Sequence, residues 1–401
     1  MLFKVHAFSK TNLTLLGLTY FFYYGQLGVI VPYLSVFLDG RGYSSPEIGQ
    51  ILAYITLARI LGPNLWSSLA ARVNKGLLVM RLGALLTFAS TFLAYFDFGI
   101  WLITLALGLM MMFWTAIIPQ LEVVAMDCMQ GDAQGYANLR MWGSVGFIVL
   151  SVLMGWVLDL HSSEVVMYAI TVVLFALFVM TCLIQAPQVE HNATDSETEI
   201  NQWQLARAWP FALFILSALL LQFSMGPFYT FFALYATDLG YTGSQTGWLI
   251  ALGVIAEIGM FVIAGRLLQR FSLRLMLMSS IGLTAVRWLL LGYVADTVVV
   301  VIISQLLHAF SFGLTHCASV SFIHRYFNKS FQAQGQALYV SIAFGFGGAA
   351  GSYVAGQLWA QGSGAQITFT VATIAALVSA SLLWFVRHPL LLYPAPIRTT
   401  S

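Results

Sequence analysis

Charge is what this sequence has least of. It holds 17 Lys and Arg and 15 Asp and Glu, 32 in all, or 8% of 401 residues. A soluble domain carries roughly 25%. A water-facing surface for a chain of this length cannot be assembled from so few, which excludes the two or three soluble domains that the length alone suggests. The formal net charge of +2 is too small to argue for a nucleic-acid partner. Cysteine is scarcer still. Cys128, Cys182 and Cys317 are scattered without CxxC or Cys/His spacing, so no disulfide framework or zinc site is expected and all three read as small buried hydrophobes. No Walker A sequence is present, and ATP-driven transport would need another subunit. No nucleophile–base or metal grouping stands out, so neither an enzyme nor a cofactor is expected. The run Gly345-Phe346-Gly347-Gly348-Ala349-Ala350-Gly351 lies within an apolar stretch with no strand before it. It is read as small residues at Gly347 and Gly351 allowing close helix packing rather than as a dinucleotide loop.

Apolar residues fill the space that charge leaves. They make up 60% of the chain, with 30 Phe, 17 Tyr and 11 Trp, so most of the surface must face lipid. Runs near hydrocarbon length, about 20 residues, recur near 13–37, 48–70, 76–96, 99–124, 137–158, 165–185, 209–234, 245–268, 273–294, 297–321, 333–360 and 366–386. The reading is an all-α integral membrane protein of twelve transmembrane helices, with the lipid bilayer as its solvent. The first run is too long for a signal-peptide core and lacks a small-residue cleavage site behind it, so it is expected to remain in the mature protein. With the N-terminus inside, 13 of the 17 Lys and Arg fall on the cytoplasmic side and one, Arg41, outside; Arg59, Arg140 and Arg287 lie within spans. That bias predicts cytoplasmic termini.

A polar stretch from Pro187 to Gln204, with Glu190, His191, Asp195, Glu197 and Glu199, cannot bury apolar area and is expected to be a flexible linker. It divides the chain into two six-helix halves, 1–186 and 208–401, joined by residues 187–207. The halves partly repeat. Gly42-Tyr43-Ser44 and Gly49 match Gly240-Tyr241-Thr242 and Gly247 at an offset of 198, which also aligns Gly28 with Gly226 and Arg72 with Arg270. At an offset of 200, Gly135 and Ala137 match Gly335 and Ala337. Weak internal symmetry of this kind marks secondary transporters built around a midplane site.

Five charged residues fall inside the apolar runs: Arg59, Glu122, Arg140, Glu257 and Arg287. Each costs about 2.5–3.5 kcal/mol at a helix centre and so should face a cavity or a partner. The competing role is snorkelling at a helix end or a packing ion pair, and it weighs most for Glu122 and Arg140, near the ends of their runs. Arg59 and Glu257 stand at equivalent positions in the two halves, with opposite charge. On the tenth run Ser304, His308, Ser311, Thr315 and Ser319 share one face, with Gln305 and His316 at its edge. Such a polar face should line water or substrate. Tyr20, Tyr23 and Tyr24 on the first run, and Gln222, Phe223 and Tyr229 on the seventh, are candidates to wall the same cavity.

Twelve spans in two repeats about a central loop resemble the major facilitator superfamily. The superfamily's loop signature after the second helix, Gly-x-x-x-Asp-Arg with following basics, is degenerate: Ser67 and Ala71 replace the Gly and the Asp, while Arg72 and Lys75 remain. The stretch Gly135-Tyr136-Ala137-Asn138-Leu139-Arg140-Met141-Trp142-Gly143-Ser144-Val145-Gly146-Phe147 is similar to the fifth helix of the group that holds lactose permease, nucleoside:proton symporters and phenylpropionate permeases. Lactose permease carries a substrate-binding Glu eighteen residues before its Arg, the spacing of Glu122 and Arg140. The second half looks most like the phenylpropionate permease family, in Ala251 to Glu257, Arg287-Trp288, Leu306 to Phe310, Ile323-His324-Arg325 and Gly335 to Tyr339. The similarity runs from about residue 12 to 386.

The resemblance implies the major facilitator fold and alternating access in a bacterial inner membrane, with uptake of a small solute coupled to protons. It implies substrate binding by Glu122 and Arg140, with Tyr20, Tyr24, Trp142 and Gln222 as the candidates to join them. Proton coupling would fall to Glu257, Arg287, His308 and His316, and gating to Arg59 and Arg72. Lactose permease has a Glu three residues after its His where this chain has Ser311, so Glu257 becomes the expected proton carrier. An aromatic carboxylate such as 3-phenylpropionate is the expected substrate and a monomer the expected state. A sugar or nucleoside symporter, a drug-efflux antiporter, an integral-membrane enzyme and a membrane sensor stand as the alternatives.

Overall fold

A computed structural model of the chain describes residues 10–73, 75–96, 98–129, 132–185, 200–329, 331–386 and 388–392. Eleven helices among them are long and apolar enough to cross a bilayer: Thr11–Gly40, Gly76–Tyr95, Ile100–Met129, Gln134–Leu158, Val165–Leu183, Trp209–Asp238, Gly243–Arg270, Leu273–Tyr293, Val298–Tyr326, Gln332–Gly362 and Ala365–Phe385. Another, Ser45–Val73, is 29 residues long, ample at 1.5 Å per residue. Glu47, Arg59, Asn64 and Arg72 dilute its apolar character. With Ser45–Val73 counted second in chain order, these are the first to twelfth spans. Most overrun the apolar runs by a few residues, because polar capping residues carry a helix past its hydrophobic stretch.

The chain divides into two compact units, Met1–Arg41 with Leu57–Asn192 and Gly42–Thr56 with Ala193–Ser401. The second span is therefore shared, its start grouping with the second unit and its remainder with the first. In the first unit the first span packs on the fifth and sixth, and the third on the fourth and sixth. In the second unit the seventh span packs on the eleventh and twelfth, and the ninth on the tenth and twelfth. The same four pairings recur six spans on, which is the pseudo-symmetry that the offset of 198 anticipates.

Local chemistry repeats as well. Gly42 and Gly240 turn the chain with φ of 82° and 86°. No atom lies within 4 Å of where a Cβ would stand on either, so backbone conformation, not space, calls for glycine. The following helices start on matching caps. Ser44 N–H donates to Glu47 Oε2 at 2.8 Å, and Thr242 N–H donates to Gln245 Oε1 at 2.9 Å while Thr242 Oγ1 accepts from Gln245 N–H. Both are Ser/Thr-x-x-Glu/Gln capping arrangements. Close approach of backbones is also shared: a Cβ on Gly28 would lie 2.4 Å from the Phe147 carbonyl oxygen, and one on Gly347 2.5 Å from that of Leu219.

Four spans are irregular near their middles. The fourth breaks between Trp114 and Ile117 and the seventh at Met225. The tenth and eleventh contain π-helical segments, Ala309–Leu314 and Val340–Gly347, a distortion frequent at functional sites. Of the polar linker, residues 187–199 lie outside the described residues, and Ile200–Arg207 is helical. Cys128 is buried as expected, but Cys182 is exposed on the sixth span and Cys317 half-buried. A thiol is apolar enough to face lipid. Arg41 grips Glu164 with two hydrogen bonds, at 2.6 and 2.8 Å, and donates to the Ala94 carbonyl at 2.6 Å.

Candidate functional site

Charged residues gather in two clusters, one inside each unit. In the first, Asp132 caps the fifth span by accepting from the N–H groups of Gln134 and Gly135. That start sets Tyr136, Arg140 and Gly143 along one helix face. Glu122 comes from the fourth span, beyond its break. Its Oε1 stands 3.7 Å from Arg140 Nε, with the two side chains 27% and 35% exposed. The Tyr136 hydroxyl donates to Glu122 Oε2. The Arg140 guanidinium lies 3.8 Å over the Tyr24 ring and 5.8 Å from the Tyr20 centroid, a cation–π contact on an otherwise weakly paired charge. Tyr20 is fully buried, next to Glu122. Beside the cluster Tyr23 stacks on Trp114 at 4.1 Å, and Arg59 stands 5.6 Å over that indole.

In the second cluster Arg287 on the ninth span is wholly buried, between the rings of Phe228 at 4.2 Å and Trp288 at 4.7 Å. Its Nη1 donates to His308 Nδ1 at 3.1 Å. A guanidinium has no acceptor, so Nδ1 must accept, and a neutral His308 then carries its proton on Nε2. That nitrogen faces Glu257 Oε2 at 3.6 Å. Arg287 thus bonds His308, and His308 in turn faces Glu257 across a gap slightly too long for a hydrogen bond. Arg287 Nε and Nη2 reach no acceptor among the described residues.

The sequence-derived set divides on these grounds. Glu122, Arg140, Tyr20 and Tyr24 come together, as do Glu257, Arg287 and His308. Trp142 does not join Arg140: it is 49% exposed, and its ring lies where a Cβ on Gly17 would stand 3.2 Å away. His316 does not reach Glu257; it stacks on Phe312 at 5.8 Å, beside Tyr339 and Phe344. Gln222 is buried on the seventh span, and Arg72 is exposed in the last turn of the second. The polar face of the tenth span is buried rather than water-lining. Ser304, Ser311 and Thr315 return their hydroxyls to carbonyls of their own helix, and Thr284 donates to Ser311 at 2.9 Å. Tyr136 and Phe228 escaped the sequence reading. The signal for Tyr136 was its position four residues before Arg140, one turn along the same face. Among the described residues no group of His, Cys, Asp and Glu is arranged to hold a metal.

Two repeats of six membrane helices, with a cluster of charge in each, define a secondary transporter. Residues 13–371 match the model of the MFS_1 like family, and the chain belongs to it: a multi-pass membrane transporter of the major facilitator superfamily, not an enzyme. It is 30% identical to a probable 3-phenylpropionic acid transporter of Escherichia coli (strain K12), over 68% of this chain and 72% of that protein. It is 26% identical to a maltose permease of Geobacillus stearothermophilus, over 69% and 70%. Among solved structures, the nucleoside transporter NupG superposes with a TM-score of 0.79 at 18% identity, over 93% of this chain and 97% of that one. A D-xylose-proton symporter superposes at 0.68 with 11% identity, over 94% and 96%.

Proposed function

We propose that this transporter takes up a small aromatic carboxylate, of the type of 3-phenylpropionate, together with protons. It would work as a monomer in a bacterial inner membrane, by alternating access, with both termini cytoplasmic and two halves, 1–186 and 208–401, joined by residues 187–207. The observation that carries the reading is Arg140, whose planar fork meets Glu122 only loosely, at 3.7 Å, and can hold an incoming carboxylate bidentately. The named relative in Escherichia coli supports the choice of substrate. Tyr20 and Tyr24 complete the binding set with Gln222, Glu122 stands beside Arg140 as the resident acid that an incoming anion displaces, and Arg59 and Arg72 serve gating. Glu257 carries the proton. Loaded, it leaves Arg287 as the cluster's one charge; unloaded, it supplies the counter-charge through His308. The cluster's net charge therefore switches with each proton, and burial makes that switch energetically large. His316 stands as a second proton acceptor further along the tenth span.

A sugar or nucleoside symporter is the second reading, favoured by Glu122 as an acceptor for hydroxyl groups and by the maltose permease relative. A solute panel in proteoliposomes with an imposed pH gradient separates them: accumulation of 3-phenylpropionate under an inward proton gradient supports the first reading, and accumulation of maltose or a nucleoside in its place overturns it. Orientation is tested in a cysteine-free background. A cysteine at His161 should react with an impermeant reagent added outside, whereas one at Lys329 should not.

A further inference from the structure

The acid and the base of the first cluster form only a loose ion pair, and each has a closer partner elsewhere. Glu122 Oε1 is 3.7 Å from Arg140 Nε, beyond hydrogen-bond reach. The other carboxylate oxygen accepts the Tyr136 hydroxyl, and the guanidinium rests on the Tyr24 face at 3.8 Å. We propose that Tyr136 is a positioning residue for the substrate: it retains Glu122, keeps that carboxylate from closing on Arg140, and so leaves the guanidinium fork open to an external anion. This rests on the reading of the substrate as a carboxylate.

An arginine that receives an anion from solution has a difficulty when a carboxylate is built in beside it. The resident group competes at an effective concentration in the millimolar range or above, and a bidentate pair between the two would occlude the site. Removing the acid is one remedy; giving it a second partner is another. Tyr136 supplies that partner from one turn before Arg140, so donor and cation hold fixed relative positions on one helix. Gly143 completes the arrangement. A Cβ there would come within 2.6 Å of Tyr24 Cδ2 and 3.0 Å of Arg140 Nη1, so its absence lets the ring and the guanidinium lie together. Arg140 is thereby held against a ring face, at 3.8 Å.

The test is 3-phenylpropionate binding to the purified full-length protein, in wild type, Tyr136→Phe, Glu122→Gln and the double variant. Losing a hydrogen bond to a charged group predicts about tenfold weaker binding in Tyr136→Phe, because Glu122 is freed to close on Arg140. Glu122→Gln should bind as wild type or more tightly, and the double variant should bind as Glu122→Gln does. That rescue is the signature, since a tyrosine that merely supports the fold or touches the ligand would cost the same in both backgrounds. Equal losses in the two backgrounds, or wild-type binding by Tyr136→Phe, overturn the inference while leaving the carboxylate reading standing. If wild type binds no 3-phenylpropionate, the carboxylate reading falls and the inference with it. Should Tyr136→Phe fail to insert, Tyr136→Leu is scored by the same rescue.

Discussion

Glu122 and Arg140 keep 27% and 35% of their side chains accessible, whereas Glu257 and His308 keep 16% and 9% and Arg287 none. The ion pair in the first unit is loose and walled by tyrosines. The trio in the second is shut among Phe228, Trp288 and Phe312. Accessibility of the first kind suits a ligand that must enter and leave, because the water it displaces remains at hand. Closure of the second kind suits an ion as small as a proton, and it strengthens each charge–charge interaction by lowering the local dielectric. One fold, repeated, thus holds two clusters of similar composition and different solvent contact. That contact separates their proposed duties more clearly than residue type does.

The contrast is broken most completely at Glu257. Glu257→Gln removes the group that switches charge and should abolish accumulation of 3-phenylpropionate against its gradient, while exchange at equilibrium persists; measured uphill uptake in that variant would move the proton carrier to His308. Arg140→Lys keeps the charge but loses the planar fork, so binding should weaken about a hundredfold in protein that still inserts. Equilibrium binding checks this, and wild-type affinity would remove Arg140 from the site. Gly143→Ala presses on Tyr24 and Arg140 together and should cost roughly tenfold in affinity with little loss of thermal stability, since the contacts are to side-chain atoms. Glu122→Gln should leave carboxylate binding within about threefold of wild type, or tighter. For a sugar the same change would be as damaging as Arg140→Lys, because a hydroxyl acceptor is lost. The smallest effect belongs to Trp142→Ala, expected within about twofold for binding and visible in the melting temperature through its contact with the first span.

The spans were legible because a hydrocarbon core demands long apolar runs and little else imitates them. The second span was read with the rest although its polar residues make it the least apolar. The repeat was legible where chemistry is demanding, at Gly42 and Gly240 and the caps after them. The second cluster could be guessed because Glu257, Arg287 and His308 are costly in an apolar run. What stayed hidden follows from helix geometry. Trp142 is two residues beyond Arg140, about 200° around the helix, and so points away from it. His316 shares a sector with His308 but stands about 12 Å further along the axis, eight residues at 1.5 Å each. The π-helical segments carry no pattern in the sequence. The burial of the tenth span's polar face was missed because Ser and Thr can return their hydroxyls to their own backbone and so do not require water.

Arg287 invites a thought about engineering. Two of its nitrogens, Nε and Nη2, meet no acceptor among the described residues, and the rings of Phe228 and Trp288 pack against the guanidinium. Leaving buried donors bare costs stability, so a screen for heat-resistant variants would be drawn to this point. A carboxylate or amide introduced at position 228 would quench the guanidinium and raise the melting temperature. It would also hand Arg287 a permanent partner, and a charge that is always satisfied has no reason to respond to the arrival of a proton. The hardier protein would be the one that no longer carries anything uphill.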